Sequence, residues 1–115
     1  MRVLVCGGRD FKDEALLRSV LARHHAKTPF IEVIHGAYRG ADTLADIWAR
    51  SNGVQPRPFP ADWIKYGYRA GPIRNQKMLD QAKPDLVIAF PGGDGTADMV
   101  RRALAAGVEV LEVGV

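Results

Sequence analysis

Residues 86–104 read LVIAFPGGDGTADMVRRAL, and this stretch decides the fold. Leu86 to Phe90 is apolar at every position, the pattern of a strand covered on both faces rather than one half exposed to water. The loop Pro91 to Thr96 carries three glycines. Behind it Met99, Val100, Ala103 and Leu104 recur at helical spacing until Gly107 stops the run. A fully buried strand, a glycine-rich turn and an amphipathic helix make one βα unit of a parallel sheet.

The same alternation runs through the rest of the chain. Arg2 to Cys6 reads as the first strand, followed by a Gly-Gly turn and a helix from about Lys12 to Lys27, with Leu16, Leu17, Val20 and Leu21 on one face and Asp10 as its N-cap. Phe30 to His35 is the second strand. The loop Gly36 to Gly40 leads to a helix from about Ala41 that shows Leu44, Ala45, Ile47 and Trp48 and stops at Gly53. Val54 to Phe59 is a third strand, and Pro56, Pro58 and Pro60 confine it to an edge because each removes a ladder donor. A polar and aromatic loop, Ala61 to Gly71, precedes a helix with Pro72 at its first position that ends before Pro84. Val108 to Val113 is the fifth strand. Right-handed crossovers then give a single α/β domain over residues 1–115, a Rossmann-like three-layer sandwich with a five-stranded parallel sheet in order 3-2-1-4-5, or, as runner-up, a flavodoxin-like order.

Composition narrows the function classes. The chain has 115 residues, 47% of them hydrophobic, which leaves no room for a second domain. Sixteen Lys and Arg against 13 Asp and Glu give a net charge of +3, spread along the chain. That is a mild anion preference and disfavours nucleic acid as the partner. No apolar run approaches the roughly 20 residues that cross a bilayer, and no signal-peptide core follows Met1, so a soluble, cytoplasmic protein with no membrane partner is expected. A lone cysteine, Cys6, excludes an internal disulfide and a Cys-rich zinc site, and it reads as a small buried residue closing a strand. His24 and His25 are adjacent on a helix and diverge, so no metal site is expected. Ser19 and Ser51 both fall inside helices, which leaves no serine for a Ser-His-Asp arrangement.

Ligands of open α/β sheets bind beyond the carboxyl ends of the strands, where the strand order reverses, here between strands one and four. The two richest glycine loops follow those strands. Pro91, Gly92, Gly93, Gly95 and Thr96 stand at a helix N-terminus, where free N–H groups and the positive dipole end attract phosphate; the alternative is a tight turn and no more. The loop is not a Walker loop, and it lacks the third glycine of the dinucleotide fingerprint. Gly7, Gly8, Arg9 and Asp10 would lie beside it, with Arg9 as a bidentate phosphate clamp. His35, Gly36, Arg39, Gly40 and Asp42 share the loop after strand two, although His35 also reads as a satisfied strand-end histidine and Asp42 as a helix cap. Dinucleotide-binding folds carry a ribose-reading acid at the end of strand two, and His35 occupies that place. Asp62 and Trp63 open the aromatic loop, whose rings either stack on a base or cover the sheet edge. Arg74 and Asn75 fall in the first turn of the next helix and face the same rim.

Together, Gly7-Gly8-Arg9-Asp10-Phe11, His35-Gly36-Ala37-Tyr38-Arg39-Gly40-Ala41-Asp42, Ala61-Asp62-Trp63, Gly71-Pro72-Ile73-Arg74-Asn75 and Pro91-Gly92-Gly93-Asp94-Gly95-Thr96 resemble the YspA-like branch of the SLOG superfamily. The resemblance runs over essentially the whole chain. It implies a Rossmann-like fold that binds a nucleotide or nucleotide-derived ligand, in a branch often carried by phages. The superfamily also holds LOG-type phosphoribohydrolases, which pair an arginine with a glutamate three residues after the threonine of the PGGxGT motif. Arg74 resembles that arginine, whereas the glutamate position holds Met99, with Asp98 one residue earlier. One residue turns a helical position by about 100°, so Asp98 is an indirect substitute. A carboxylate for an oxocarbenium-like state would otherwise come from Asp10, Asp42, Asp62 or Asp94.

Three functions follow as expectations. The first is binding of a nucleotide, such as an ADP-ribose derivative or a cyclic signal, for sensing or sequestration, with no further cofactor required. The second is a phosphoribohydrolase or related N-glycosidase using Arg74 and Asp98. The third is single-stranded DNA binding, as resemblance to the DprA branch permits. Small size and commonly oligomeric SLOG relatives point to a homo-oligomer, paired through exposed helix faces bearing Trp48 or Met99.

Overall fold

The period-two alternation of apolar side chains assigns each strand residue to one of two cores. The structure, a computed structural model, describes residues 1–114. Strands β1 (Arg2–Cys6), β2 (Glu32–His35), β3 (Gln55–Pro58), β4 (Leu86–Ala89) and β5 (Glu109–Glu112) form one parallel sheet in the order β3-β2-β1-β4-β5. The flavodoxin-like alternative is excluded, because β2 lies between β1 and β3. Val3, Val5, Leu86 and Ile88 face one side, where α1 (Glu14–Lys27) and α2 (Ala41–Ser51) contribute Leu17, Val20, Leu21, Ala45 and Trp48. Leu4, Cys6, Val87 and Ala89 face the other, against Met78, Leu79, Met99 and Ala103. Those last two belong to α5 (Asp94–Ala105). As its prolines require, β3 is an edge strand.

Local chemistry moves several boundaries. Asp13, not Asp10, caps α1: its carboxylate accepts the Leu16 N–H at 3.0 Å, and Asp10 stays in the loop beyond β1. The segment expected as an irregular loop is largely helical. Asp62 caps a short helix α3 (Trp63–Tyr66) by accepting the Lys65 N–H at 3.0 Å, and a 3₁₀ turn over Gly67–Arg69 runs straight into α4 (Ala70–Lys77). Pro72 is therefore the third helical residue rather than the first, and Arg74 and Asn75 fall in the second turn. Proline is accepted there because the first N–H groups of a helix have no intrahelical partner. A π-helical turn, Met78–Ala82, and Lys83 at φ +47° end the helix before Pro84.

The expected pairing faces are overturned. Trp48 is 4% exposed and Met99 fully buried, so both belong to the two cores and offer nothing to a partner. Ala41, Ala45, Trp48 and Ala49 make the inward stripe of α2, and Ile47 falls off that stripe and faces water. No helix of the described residues is long and apolar enough to cross a membrane. Truncating Met99 to alanine should lower the unfolding free energy by roughly 2–5 kcal/mol in denaturant titrations, the cost of a cavity in a close-packed core. A loss below about 1 kcal/mol would contradict this assignment.

Candidate functional site

At the carboxyl ends of β1 and β4 the chain leaves in opposite directions, to α1 on one face and α5 on the other, and a cleft opens between the two loops. The loops are locked at their glycines. Gly8 N–H donates to the Pro91 carbonyl at 2.9 Å, and the Gly8 carbonyl accepts from Ala41 at 3.3 Å and Phe11 at 3.2 Å. A Cβ on Gly8 would stand 3.0 Å from Gly92 Cα, and one on Gly7 would stand 2.6 Å from Ala41 Cβ. A Cβ on Gly92 would meet Gly8 N at 2.6 Å and overlap the Thr96 hydroxyl. Gly40, at φ +82°, presses its Cα side against the Gly8 and Arg9 backbone. Gly93 and Gly95 behave differently, for an added Cβ would meet nothing within 4 Å. Two of the loop glycines thus leave open space in front of the N-terminus of α5.

Helix α5 begins with Gly93 as N-cap and no side-chain cap bond. Thr96 is its third residue, so its hydroxyl sits over Gly92 instead of capping. The first-turn amides have no partner within the helix, and Gly93, Asp94, Gly95 and Thr96 all border the cleft.

The cleft encloses about 1230 Å³. Of the residues singled out in the sequence it gathers Gly7, Gly8, Arg9, Asp10, Gly36, Asp42, Trp63, Arg74, Asn75, Pro91, Gly92, Gly93, Gly95, Thr96 and Asp98. His35, Arg39, Gly40 and Asp62 lie outside its lining. His35 is buried beneath the β2 loop: Nδ1 accepts the Ala37 N–H at 3.0 Å, so Nε2 carries the proton and donates to Asp46 at 2.6 Å. Burial alone would raise the Asp46 carboxyl, but hydrogen bonds from Arg50 and His35 outweigh it and hold that carboxyl below its ordinary value. Arg39 sits exposed on the turn, and Asp62 is spent on its cap.

Sequence reasoning missed Lys12, Tyr38 and Arg101, which also line the cleft. Arg101 was legible, since it follows Asp94 and Asp98 on one face of α5. Tyr38 was not: it reaches the cleft by pairing with Trp63, ring centroids 6.1 Å apart, a contact no local pattern signals.

Two charged groups form the cleft floor. Arg74 extends from α4 across Gly36, its Nη1 donating to the Gly36 carbonyl at 2.5 Å and the Phe59 carbonyl at 3.5 Å, and its Nε to Asn75 Oδ1 at 3.1 Å. Asp42, in the first turn of α2, is buried and accepts the Tyr38 N–H at 3.3 Å. Burial raises its carboxyl above the ordinary value, opposed by the charge of Arg74. Burial likewise lowers Arg74, opposed by Asp42. Burial pushes the Cys6 thiol up to about 12, so at neutral pH it is no thiolate.

Asp98 is engaged by three donors, Asn75 Nδ2 at 3.0 Å, Arg101 Nη2 at 3.0 Å and Arg102 Nε at 2.8 Å. Burial would raise its carboxyl, yet the hydrogen bonds from Asn75 and Arg102 prevail and hold it low. The Asn75 amide stands between the two residues expected as a catalytic pair, since its Oδ1 accepts from Arg74 while its Nδ2 donates to Asp98 and to the Gly95 carbonyl at 3.2 Å. Asn75 therefore ties α4 to the first two turns of α5.

Comparison with known proteins places this geometry in context. Residues 1–66 match the model of the family described as YAcAr, the YspA, cpYpsA-related SLOG family. The chain is 40% identical over 121 residues to the Gene 61 protein of Mycobacterium phage D29, an alignment covering 98% of this chain and 96% of that protein. Among solved structures, a UDP-N-acetylglucosamine 2-epimerase superposes with a TM-score of 0.60 at 18% identity, over 98% of this chain and 33% of that one. The chain thus spans a third of the epimerase, and the likeness is one of fold.

Gly92→Ala should destabilise the protein by about 1–3 kcal/mol through overpacking, whereas Gly93→Ala, which meets no neighbour and loses only an N-cap glycine, should cost less than about 1 kcal/mol, both read from denaturant midpoints. Equal effects would contradict the division of the glycines. Because the Asp98 carboxyl is held low, its contribution is present above its unfolded value and fades as the pH falls through its folded one. Asp98→Asn should accordingly cost about 1.5–3 kcal/mol at pH 7 and progressively less in acid, and an unchanged pH–stability curve would contradict this.

Proposed function

Because the chain belongs to the YspA, cpYpsA-related SLOG family, we propose that its cleft binds a nucleotide or nucleotide-derived ligand through phosphate at the N-terminus of α5. One observation carries this reading: an uncapped helix N-terminus, fronted by two glycines with open space, faces a cleft at the switch point of the sheet. Backbone N–H groups and the positive end of the helix dipole supply anion affinity there without a cationic side chain. Arg9 and Lys12 on the facing loop add charge, and Tyr38, Trp63 and Tyr68 offer aromatic surface for a base at the mouth.

Binding for sensing or sequestration fits the cleft better than hydrolysis by Arg74 and Asp98. Asp98 is committed to three donors, and position 99, where LOG-type enzymes carry glutamate, faces the core. Arg74 keeps a gripping role, with part of its guanidinium open to the cleft. The volume accommodates a ligand larger than a nucleoside monophosphate, an ADP-ribose derivative or a cyclic dinucleotide among them.

Titration calorimetry with AMP, ADP and ADP-ribose tests the placement. Gly93→Asp should weaken binding of whichever ligand the wild type takes by at least about 100-fold, since it puts a carboxylate where the phosphate belongs. Unchanged affinity in a folded variant would refute it.

A further inference from the structure

Gly36 is the point on which two opposite charges converge. A Cβ there would overlap the Arg74 guanidinium and stand 2.9 Å from Asp42 Oδ2, so only glycine lets the two groups stand side by side. Each is held in place and keeps hydrogen-bonding capacity to spare. Arg74 uses Nε and Nη1 on Asn75, Gly36 and Phe59, and Asp42 accepts from the backbone N–H groups of Tyr38, at Oδ2, and Gly36. Arg74 Nη2 makes no hydrogen bond among the described residues, and a carboxylate with about four acceptor sites is not filled by two backbone donors. No buried side-chain nitrogen or oxygen among those residues lacks a partner, so Arg74 Nη2 meets solvent, and both residues line the cleft.

An anion at this spot would be repelled by Asp42, and a cation by Arg74. An apolar group would strand a donor and an acceptor, which is costly away from water. A neutral group that both gives and accepts hydrogen bonds satisfies the pair, and a vicinal diol does so with two hydroxyls: one donates to the Asp42 carboxylate, and the other accepts from Arg74 Nη2.

The topology sets this pair where a sugar would lie. Asp42 follows β2 and the N-terminus of α5 follows β4, with the end of β1 between them. Two interstrand spacings are about 10 Å, the scale of a nucleoside phosphate laid across the cleft. Resting on the nucleotide reading above, we propose that Asp42 and Arg74 read the ribose 2′,3′-diol of the bound ligand, which makes this a ribonucleotide site that discriminates against 2′-deoxy ligands. Asp42 enters from the first turn of α2, seven residues beyond His35, the position where a dinucleotide fold would carry its ribose-reading acid.

Calorimetry on the wild type with AMP and 2′-deoxy-AMP, and with ADP-ribose and its 2′-deoxy analogue, tests the proposal without any variant. The ribose form should bind about 10- to 100-fold tighter, the scale of one hydrogen bond to a charged group lost at a partly buried site. Asp42→Asn, checked for folding by circular dichroism, should bring that ratio to within about threefold of one, because it removes the anionic acceptor and keeps the shape. Equal affinities for ribose and deoxyribose forms in the wild type would overturn diol reading while leaving the nucleotide site standing. A preference that persists undiminished in folded Asp42→Asn would overturn the role of Asp42. Binding of neither form would remove the nucleotide site and the diol reader together.

Discussion

Gly8 and Gly92 meet where β1 and β4 end, and the close approach of their backbones is the constraint on which the cleft depends. The Gly8 amide bonds to the carbonyl of Pro91, and its carbonyl receives the amides of Phe11 and Ala41, so the loops after β1 and β4 and the start of α2 share one residue's peptide groups. Side chains at Gly7, Gly8, Gly40 or Gly92 would separate these loops. Their packing fixes where α5 begins, and the open space at Gly93 and Gly95 then falls in front of its free amides. The glycines of one short motif thus divide between holding the scaffold and leaving room.

The charges of the cleft are similarly divided. Asp98, bound by Asn75, Arg101 and Arg102, braces α4 against α5, while His35 and Asp46 brace the β2 loop from below. Asp42 and Arg74 differ in keeping hydrogen-bonding capacity to spare at the cleft. Buried ionic groups are costly unless their partners are in place, which explains why each of these side chains has a defined neighbour.

Much of this was legible in the sequence, for identifiable reasons. The uninterrupted apolar run from Leu86 to Phe90 and the proline-rich edge strand contain the sheet order, because burial on both faces and loss of ladder donors are local properties. The glycine loops are legible as the walls of a cleft because they follow neighbouring strands at the switch point. What escaped depends on contacts between distant residues. The strand-end position of His35 fits a satisfied histidine as well as a rim group, and its partner Asp46 on the next helix decides for the first, while the hold of Gly36 on Arg74 spans 38 residues. Trp48 and Met99 fit outward faces in the sequence because an amphipathic stripe shows that one side is buried without showing that both layers are already filled. The segment from Asp62 to Arg69 reads as a loop by composition, and one capping carboxylate is enough to start a helix there.

In the proposed complex, phosphate sits on the backbone at the start of α5, between the two interlocked loops. A crystal structure of the protein with bound AMP tests it directly. Phosphate oxygens are expected within about 2.7–3.2 Å of the first-turn amides of α5, with the ring system directed toward Trp63. Phosphate held elsewhere on the surface, with those amides facing water, would contradict it.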